Sequence, residues 1–584
     1  MTKSCKIGNS ALMLLAPVAT FYLFEWYTHN PWTTMRGPIQ GLNIFFFEMV
    51  MVLLLGIIGN LKFALIIETT AFMLIGLANY YVILFRSAPI MPWDIYSFRT
   101  AASVANNFQY TLKKETLYVL LLFIVLIVIE TRATFKIEKH RLAVRSALTV
   151  ASFILLYAFT IMLHQDSTIK KFKMYDKLFT PTVMSKRDGT AVAFLMELKY
   201  IKVNKPANYH KKNAESLLAS YSADTNDASS DSPNIIVIMD EAFSDPSILG
   251  EFQTNEDYMP FVHELLQNGN NTVSGQLNVS VLGGNTANTE FEFLTGNSMA
   301  FLPQGSIPYQ QYIQKDLPSI ASHLKESGYQ TIAMHPYNST GWERNTVYPM
   351  LGFDQTYFIK DWNNPEKIRK YVSDQSAFDK IIELYEQKDS SKPLFLFEVT
   401  MQNHSSYTDD YNNFYPDITI DGIDSESLTN YLSLMKLSDN AFREFVSYFE
   451  KQEERTIIVF FGDHQPTNSV VEPIWKLQGK KGSELTDSEE ALRYKVPFVI
   501  WANYDIEDEY SEETSANYLA GKVLSIAGIP LSPYQRFLSS LEKNYPVISS
   551  IRVEDNEGNS STIKEQREAL IDYETLQYYQ LFDS

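Results

Sequence analysis

The chain has 584 residues, 45% of them hydrophobic and 20% charged, with a net charge of −19 and one cysteine, Cys5. At roughly 100–200 residues per domain this length asks for several units, and the hydrophobic share excludes a disordered chain. The acidic balance argues against a nucleic-acid binder, and the cysteine count excludes a disulfide framework, a cysteine-rich zinc site and a cysteine nucleophile beyond the first few residues. The charge is split along the chain. Residues 1–217 hold 24 Lys+Arg against 12 Asp+Glu, a balance of +12, and the remainder carries −31.

In chain order, the first elements are five apolar runs at about Ile7–Tyr27, Leu42–Leu61, Phe63–Phe85, Leu117–Ile129 with its flanks, and Leu142–Leu163. Each reaches the roughly 20 residues that a membrane-spanning helix needs. The first run lacks a small-residue cleavage site and is followed by further spans, so it reads as a retained helix. Glu25, Glu48 and Glu68 fall in these runs, either near helix ends or inside the bundle, or as functional groups at membrane depth. Ser87–Glu115 is polar and aromatic, suited to the interface. The loop charges barely favour an inside amino terminus, because Lys170, Lys171, Lys173 and Lys177 directly follow the last span. Residues 1–165 therefore read as an all-α five-helix transmembrane domain. Residues 166–233 read as a basic helical connector ending in the Ser/Asp/Asn-rich linker Ser220–Pro233.

Residues 234–584 read as a water-soluble α/β domain. The predicted strands are Asn234–Met239, Gln330–Met334, Leu394–Val399, Thr456–Phe461 and Val496–Trp501, several of them continuous apolar stretches suited to burial on both faces. Helical patterns at Leu317–Ser327, Ser376–Gln387 and Ser427–Lys451 alternate with them, which implies a largely parallel sheet covered by helices. Ligands of such folds bind beyond the carboxyl ends of the strands. There the first strand delivers Asp240-Glu241, another delivers Gly462-Asp463-His464, and a third delivers His335. Two carboxylates and an imidazole on one sheet edge suit a divalent cation; each alone is equally an N-cap or loop residue. Gly283-Gly284-Asn285-Thr286 turns into a helical pattern, so Thr286 is either a plain N-cap or a hydroxyl placed for nucleophilic attack at a helix amino terminus.

With these residues in place, the chain resembles the lipoteichoic acid synthase and phosphoglycerol transferase family of the alkaline phosphatase superfamily. Asp240-Glu241-Ala242-Phe243 resembles the family's first metal motif, Asn285-Thr286-Ala287-Asn288-Thr289-Glu290-Phe291 its nucleophile motif, and Gly462-Asp463-His464 its Asp-His ligand pair. Trp342-Glu343-Arg344 resembles the Trp-x-Arg element that holds the glycerophosphate head group, with His335 seven residues earlier, and Asn403-His404 resembles a substrate-contacting element. The resemblance implies a sulfatase-like extracellular domain after a multi-pass membrane domain. It implies Glu241, Thr286, Asp463 and His464 as ligands of Mn²⁺ or Mg²⁺, Thr286 as nucleophile, and His335, Trp342, Arg344 and His404 as substrate-binding residues. The activity it implies is transfer of glycerol phosphate from phosphatidylglycerol, through a covalent threonine intermediate, onto a growing polyglycerophosphate (lipoteichoic acid) chain on a glycolipid. The alternatives are transfer to a cell-wall polysaccharide, a phosphoethanolamine transferase, and, outside enzymes, a degenerate membrane scaffold. Three departures bear on the acceptor: Asn285 stands where the synthases commonly carry Lys, Tyr337 where they tend to carry Asp, and Ser405-Ser406-Tyr407 where a Phe-Pro pair follows the histidine. A sulfatase would need Cys or Ser at position 286.

Overall fold

The structure, a computed structural model, describes residues 3–86, 89–94, 113–138, 141–175, 181–201, 203–222, 232–303 and 306–584. The chain divides into two units, one holding residues up to Val203 and the other holding Asn204–Pro303 and Ile307–Ser584. Most of the expected interfacial segment Ser87–Glu115 and of the linker Ser220–Pro233 lies outside the described residues, as does Lys177.

The first unit is helical: α1 (Lys3–Trp26), α2 (Gly37–Ile58), α3 (Leu61–Arg86), α4 (Lys114–Glu130), α5 (Leu142–Leu163) and the short α6 (Thr190–Glu197). Among the described residues, four helical segments are long and apolar enough to cross a membrane: Ile7–Trp26, Gly37–Ile58, Leu61–Ile83 and Leu142–Leu163. The remaining predicted run forms α4, whose 17 residues rise about 26 Å and stand at the short end of the range for a spanning helix. All five predicted apolar runs are thus helical among the described residues, four of them longer than α4. Glu25 is explained by packing. Its carboxylate accepts from the Thr190 backbone N–H at 2.8 Å and from the Thr190 hydroxyl at 3.0 Å, and so caps the start of α6. Glu130 accepts from the Thr69 hydroxyl at 2.6 Å.

The second unit is built on eight strands: β1 (Asn234–Asp240), β2 (Thr272–Asn278), β3 (Gln330–His335), β4 (Gln355–Phe358), β5 (Leu394–Val399), β6 (Thr456–Gly462), β7 (Lys495–Ala502) and β8 (Glu509–Ser515). Their order is β8-β2-β7-β6-β1-β5-β3-β4. All five predicted strands are present, and the sheet is mixed: β7 runs antiparallel to both β2 and β6, and the remaining neighbours are parallel. Three further helices matter to the site: α7 (Thr286–Thr295), α8 (Asp374–Glu386) and α9 (Glu426–Phe449). Ile236, Ile238, Leu396, Ile458 and Phe460 bury one face of the sheet together with Phe378, Phe442 and Phe445 of α8 and α9. On the opposite face Phe293 of α7 packs its ring 5.8 Å from Phe397 and 5.3 Å from Phe461. Central strands covered on both faces read as unbroken apolar runs for this reason. The register pairs Asp240 with Gly462, so the residues that follow β1 and β6 emerge side by side.

Candidate active site

Glu241 and Asp463 are the first residues beyond β1 and β6, and His464 is the next. Their ligand atoms all lie within 4.8 Å of one another, and all three side chains are buried. The close approach is built into the backbone. A Cβ on Gly462 would meet the Phe243 carbonyl oxygen at 1.8 Å, so only glycine lets the β1 loop pass the end of β6. Asp463 is anchored through one oxygen, which accepts from the Ala242 backbone N–H at 2.7 Å. Its Oδ2 and His464 Nε2 have no hydrogen-bond partner, yet they face each other at 3.3 Å. His464 Nδ1 sits 2.9 Å from the Gln465 carbonyl oxygen and donates its proton there, which leaves Nε2 as an acceptor. Two buried acceptors aimed at one another, with Glu241 Oε1 at 3.8 Å from His464 Nε2, fit a bound cation. Burial first, and then the charge of Asp463, push the Glu241 carboxyl up to about 8.

Thr286 is the first residue of α7. Its hydroxyl lies 3.3 Å from Glu241 Oε2. Asn285 precedes it in the left-handed region at φ 67°, a conformation that Asn tolerates better than most residues. The Gly283 N–H donates to the Gln465 carbonyl at 2.9 Å, tying this loop to the Asp-His turn. A Cβ on Gly283, at φ +67°, would also crowd Thr467 Cγ2 at 2.9 Å. The helix therefore starts with Thr286 against the cluster of Glu241, Asp463 and His464.

The structure brings His335 and His404 to the same edge. His335 ends β3 and is 2% exposed. Its Nδ1 donates to the Val399 carbonyl at 2.8 Å, and burial first, then Arg344, hold it well below the usual histidine range. His404 Nδ1 lies 2.8 Å from the Ser405 carbonyl and 3.0 Å from the Tyr371 hydroxyl, and burial lowers its pKa. Asn403 donates to Asp240 at 2.8 Å, so Asp240 supports the loop from behind the ligands. Trp342 is half-buried in a left-handed backbone position at φ 54°. Arg344 is buried and forks onto Glu290 of α7: its Nε lies 3.1 and 3.2 Å from the two carboxylate oxygens, and its Nη2 donates to Oε1. Tyr348 donates to the same carboxylate at 2.8 Å.

One participant lies in a motif that does not name its partner, and another lies outside every motif. Glu290 looks like an ordinary acid in the first turns of a helix, and its role depends on a fork to a residue 54 positions away. Arg369 gathers the carbonyls of Gln402, His404 and Ser406 and lies 5.8 and 5.6 Å from the rings of Tyr371 and Tyr407. It thereby shapes the His404 loop from outside every motif. Tyr371 is buried beside the same loop.

Acid and imidazole groups at the ends of adjacent parallel strands, set against a hydroxyl at a helix start, are an arrangement suited to cation-assisted chemistry on an ester. The chain belongs to the sulfatase family, of the alkaline phosphatase superfamily, whose model matches residues 233–529. It is 32% identical over 376 residues to a putative cyclic beta-1,2-glucan modification protein of Rhizobium meliloti (strain 1021), covering 62% of this chain and 56% of that protein. It is 23% identical over 337 residues to lipoteichoic acid synthase 1 of Bacillus subtilis (strain 168), covering 56% of this chain and 49% of that protein. The chain thus spans about half the length of these curated relatives. A solved structure of the Streptococcus pyogenes phosphoglycerol transferase GacH in complex with sn-glycerol-1-phosphate shares the fold at a TM-score of 0.53 and 22% identity, covering 65% of this chain and 96% of that one.

Proposed function

We propose that the protein is a membrane-anchored transferase that moves glycerol phosphate from phosphatidylglycerol, through an ester on Thr286, to an acceptor hydroxyl on the outer side of the cell membrane. The observation that carries this is the Thr286 hydroxyl, 3.3 Å from Glu241 at the start of a buried helix, beside two unpartnered acceptors on Asp463 and His464. Glu241, Asp463 and His464, with Thr286, would hold Mn²⁺ or Mg²⁺, which when bound supplies positive charge that favours the threonine alkoxide and neutralises phosphate. The Thr286 oxygen attacks phosphorus, and diacylglycerol leaves with its own oxygen. The positive end of the α7 dipole, at Thr286, favours the charge on the phosphate. Arg344 uses Nε and Nη2 on Glu290, which leaves Nη1, 3.7 Å from a Cβ built on Gly341, for a phosphate oxygen. Trp342 walls the glycerol. His335 and His404, both held neutral by burial, are suited to accept or return a proton.

A sugar hydroxyl is the favoured acceptor, supported by the 32% identity to a protein named for glucan modification. A growing polyglycerophosphate chain is the second reading, supported by the identity to lipoteichoic acid synthases. In this reading residues 1–165 anchor the protein, 166–233 connect, and 234–584 catalyse. A phosphoethanolamine transferase and a non-catalytic scaffold are the competing assignments. The test is incubation of the purified full-length protein with fluorescent phosphatidylglycerol and Mn²⁺. Wild type releases labelled diacylglycerol and carries a glycerophosphoryl group on the Thr286 peptide in mass spectra. Thr286→Ala loses both, with turnover down at least about a thousandfold. Activity retained in that variant would refute the assignment.

A further inference from the structure

Two tyrosines on one wall of the site take no part in the donor chemistry described above. Tyr337, two residues beyond His335, is 42% exposed. Its backbone is pinned, because its N–H donates to the His335 carbonyl at 2.7 Å and its carbonyl accepts from the Ile359 N–H at 3.1 Å. The Tyr337 ring stands 6.1 Å from that of His335 and 6.4 Å from that of Tyr371. The Tyr371 ring in turn stands 5.2 Å from that of His404. Four rings thus run in series, His335, Tyr337, Tyr371, His404, along the strand-end edge that carries the cation ligands. Lys370 reaches over Tyr371, its Nζ 5.2 Å from the ring centre.

A single exposed aromatic on a protein surface is ordinary. What distinguishes Tyr337 is its mounting: a ring whose backbone is held on both sides, open to solvent, in line with the two histidines of the site. The wall offers ring faces, hydroxyls and an ammonium, and none of the residues named in it is aliphatic. That chemistry suits a pyranose, which presents an apolar CH face to a ring and hydroxyls to polar neighbours. An acyl chain would have no aliphatic surface to bury against here.

We propose that Tyr337 and Tyr371 form the acceptor subsite and that its occupant is a neutral saccharide, stacked on the open face of Tyr337 with one hydroxyl turned toward Thr286. This rests on the transferase reading above. In the second displacement the sugar oxygen forms the new bond to phosphorus, the bond between phosphorus and Thr286 Oγ breaks, and the sugar's hydroxyl proton ends on Thr286 Oγ.

The experiment has two arms on the full-length protein. In the first, transfer from fluorescent phosphatidylglycerol to a β-linked glucose tetrasaccharide is measured against acceptor concentration. Tyr337→Ala raises the KM for the tetrasaccharide about tenfold more than the KM for phosphatidylglycerol, and Tyr337→Phe, which keeps the ring, restores the wild-type value. In the second arm, saturation-transfer NMR with the tetrasaccharide alone shows contact in wild type and Tyr337→Phe and a loss in Tyr337→Ala. Equal tetrasaccharide binding by wild type and Tyr337→Ala, or a glycerophosphate-primed glycolipid as the acceptor whose KM responds instead, overturns the subsite. Absence of any phosphatidylglycerol cleavage by wild type sinks the transferase reading, and the NMR arm still decides whether the saccharide sits on Tyr337.

Discussion

Arg344 and Glu290 show how much of a site depends on pairings that no motif names. The Trp-x-Arg pattern pointed to Arg344 as a phosphate ligand, but the side chain is buried and forked onto Glu290, with Tyr348 donating to the same carboxylate. Removing the acid's charge leaves a guanidinium uncompensated in a dry interior. Glu290→Gln is therefore expected to cost about 3–5 kcal/mol of stability, read as a lower denaturation midpoint in urea. If the midpoint is unchanged, water reaches this pair and the fork adds nothing to stability. The cluster of Glu241, Asp463 and His464 was readable because two carboxylates and an imidazole followed buried apolar strands expected to end at one sheet edge. Glu290 and Arg369 were not, since their partners are brought to them only by the folded chain.

The same contrast holds for elements. Strands β1, β5 and β6 are buried along their whole length and stand out as unbroken apolar runs. By contrast β2, whose sequence is Thr-Val-Ser-Gly-Gln-Leu-Asn, and β8, the polar edge Glu-Tyr-Ser-Glu-Glu-Thr-Ser, carry no such run. Their pairing comes from neighbours distant in sequence, so the mixed character of the sheet was not legible. Helix α7 was legible through its glycine turn, but its anchoring was not. Glu292 points into the interior and accepts from the Met299 N–H at 2.8 Å, the Ser280 hydroxyl at 2.8 Å and the Ser298 hydroxyl at 3.2 Å. Burial pushes its carboxyl from 4.5 up to about 7 against those hydrogen bonds. The folded chain thus keeps a proton that the unfolded chain has already lost. This contribution is fully present below about pH 4.5 and is lost as pH rises through about 7. Glu292→Gln should show a smaller fall in melting temperature than wild type between about pH 5 and pH 8. Parallel curves for the two proteins would mean that Glu292 does not titrate in that range.

At the scale of the molecule, the charge split between the first 217 residues and the rest anticipated two physically different units, and the apolar runs anticipated a helical first one. All five runs are helical, and α4 is as apolar as its neighbours and differs from them only in length. Two expectations belong here. A cation held by Glu241, Asp463 and His464 stabilises the folded state by mass action, about 2.7 kcal/mol at a hundred times its dissociation constant. Mn²⁺ added to EDTA-treated protein should raise the melting temperature, and Glu241→Ala should abolish the rise. A rise of equal size in the variant would place the ion elsewhere. Localisation can be read chemically, since Cys5 is the only thiol. In a Cys5→Ser background, Lys481→Cys, at an exposed position, should react with a membrane-impermeant maleimide on intact cells. Reaction only after lysis would put the second unit on the inner side.

The in-register pairing of Asp240 with Gly462 has a further consequence. Because Glu241 and Asp463 leave two neighbouring strands at one level, their spacing is set by the pitch of the sheet. Tyr337 and the loop after His404 lie beyond the strands, held by local hydrogen bonds and by Arg369. Such a molecule is modular in an evolutionary sense: recipient preference can drift, or be grafted from a cousin by exchanging two short surface stretches, while the bond-making apparatus is inherited untouched.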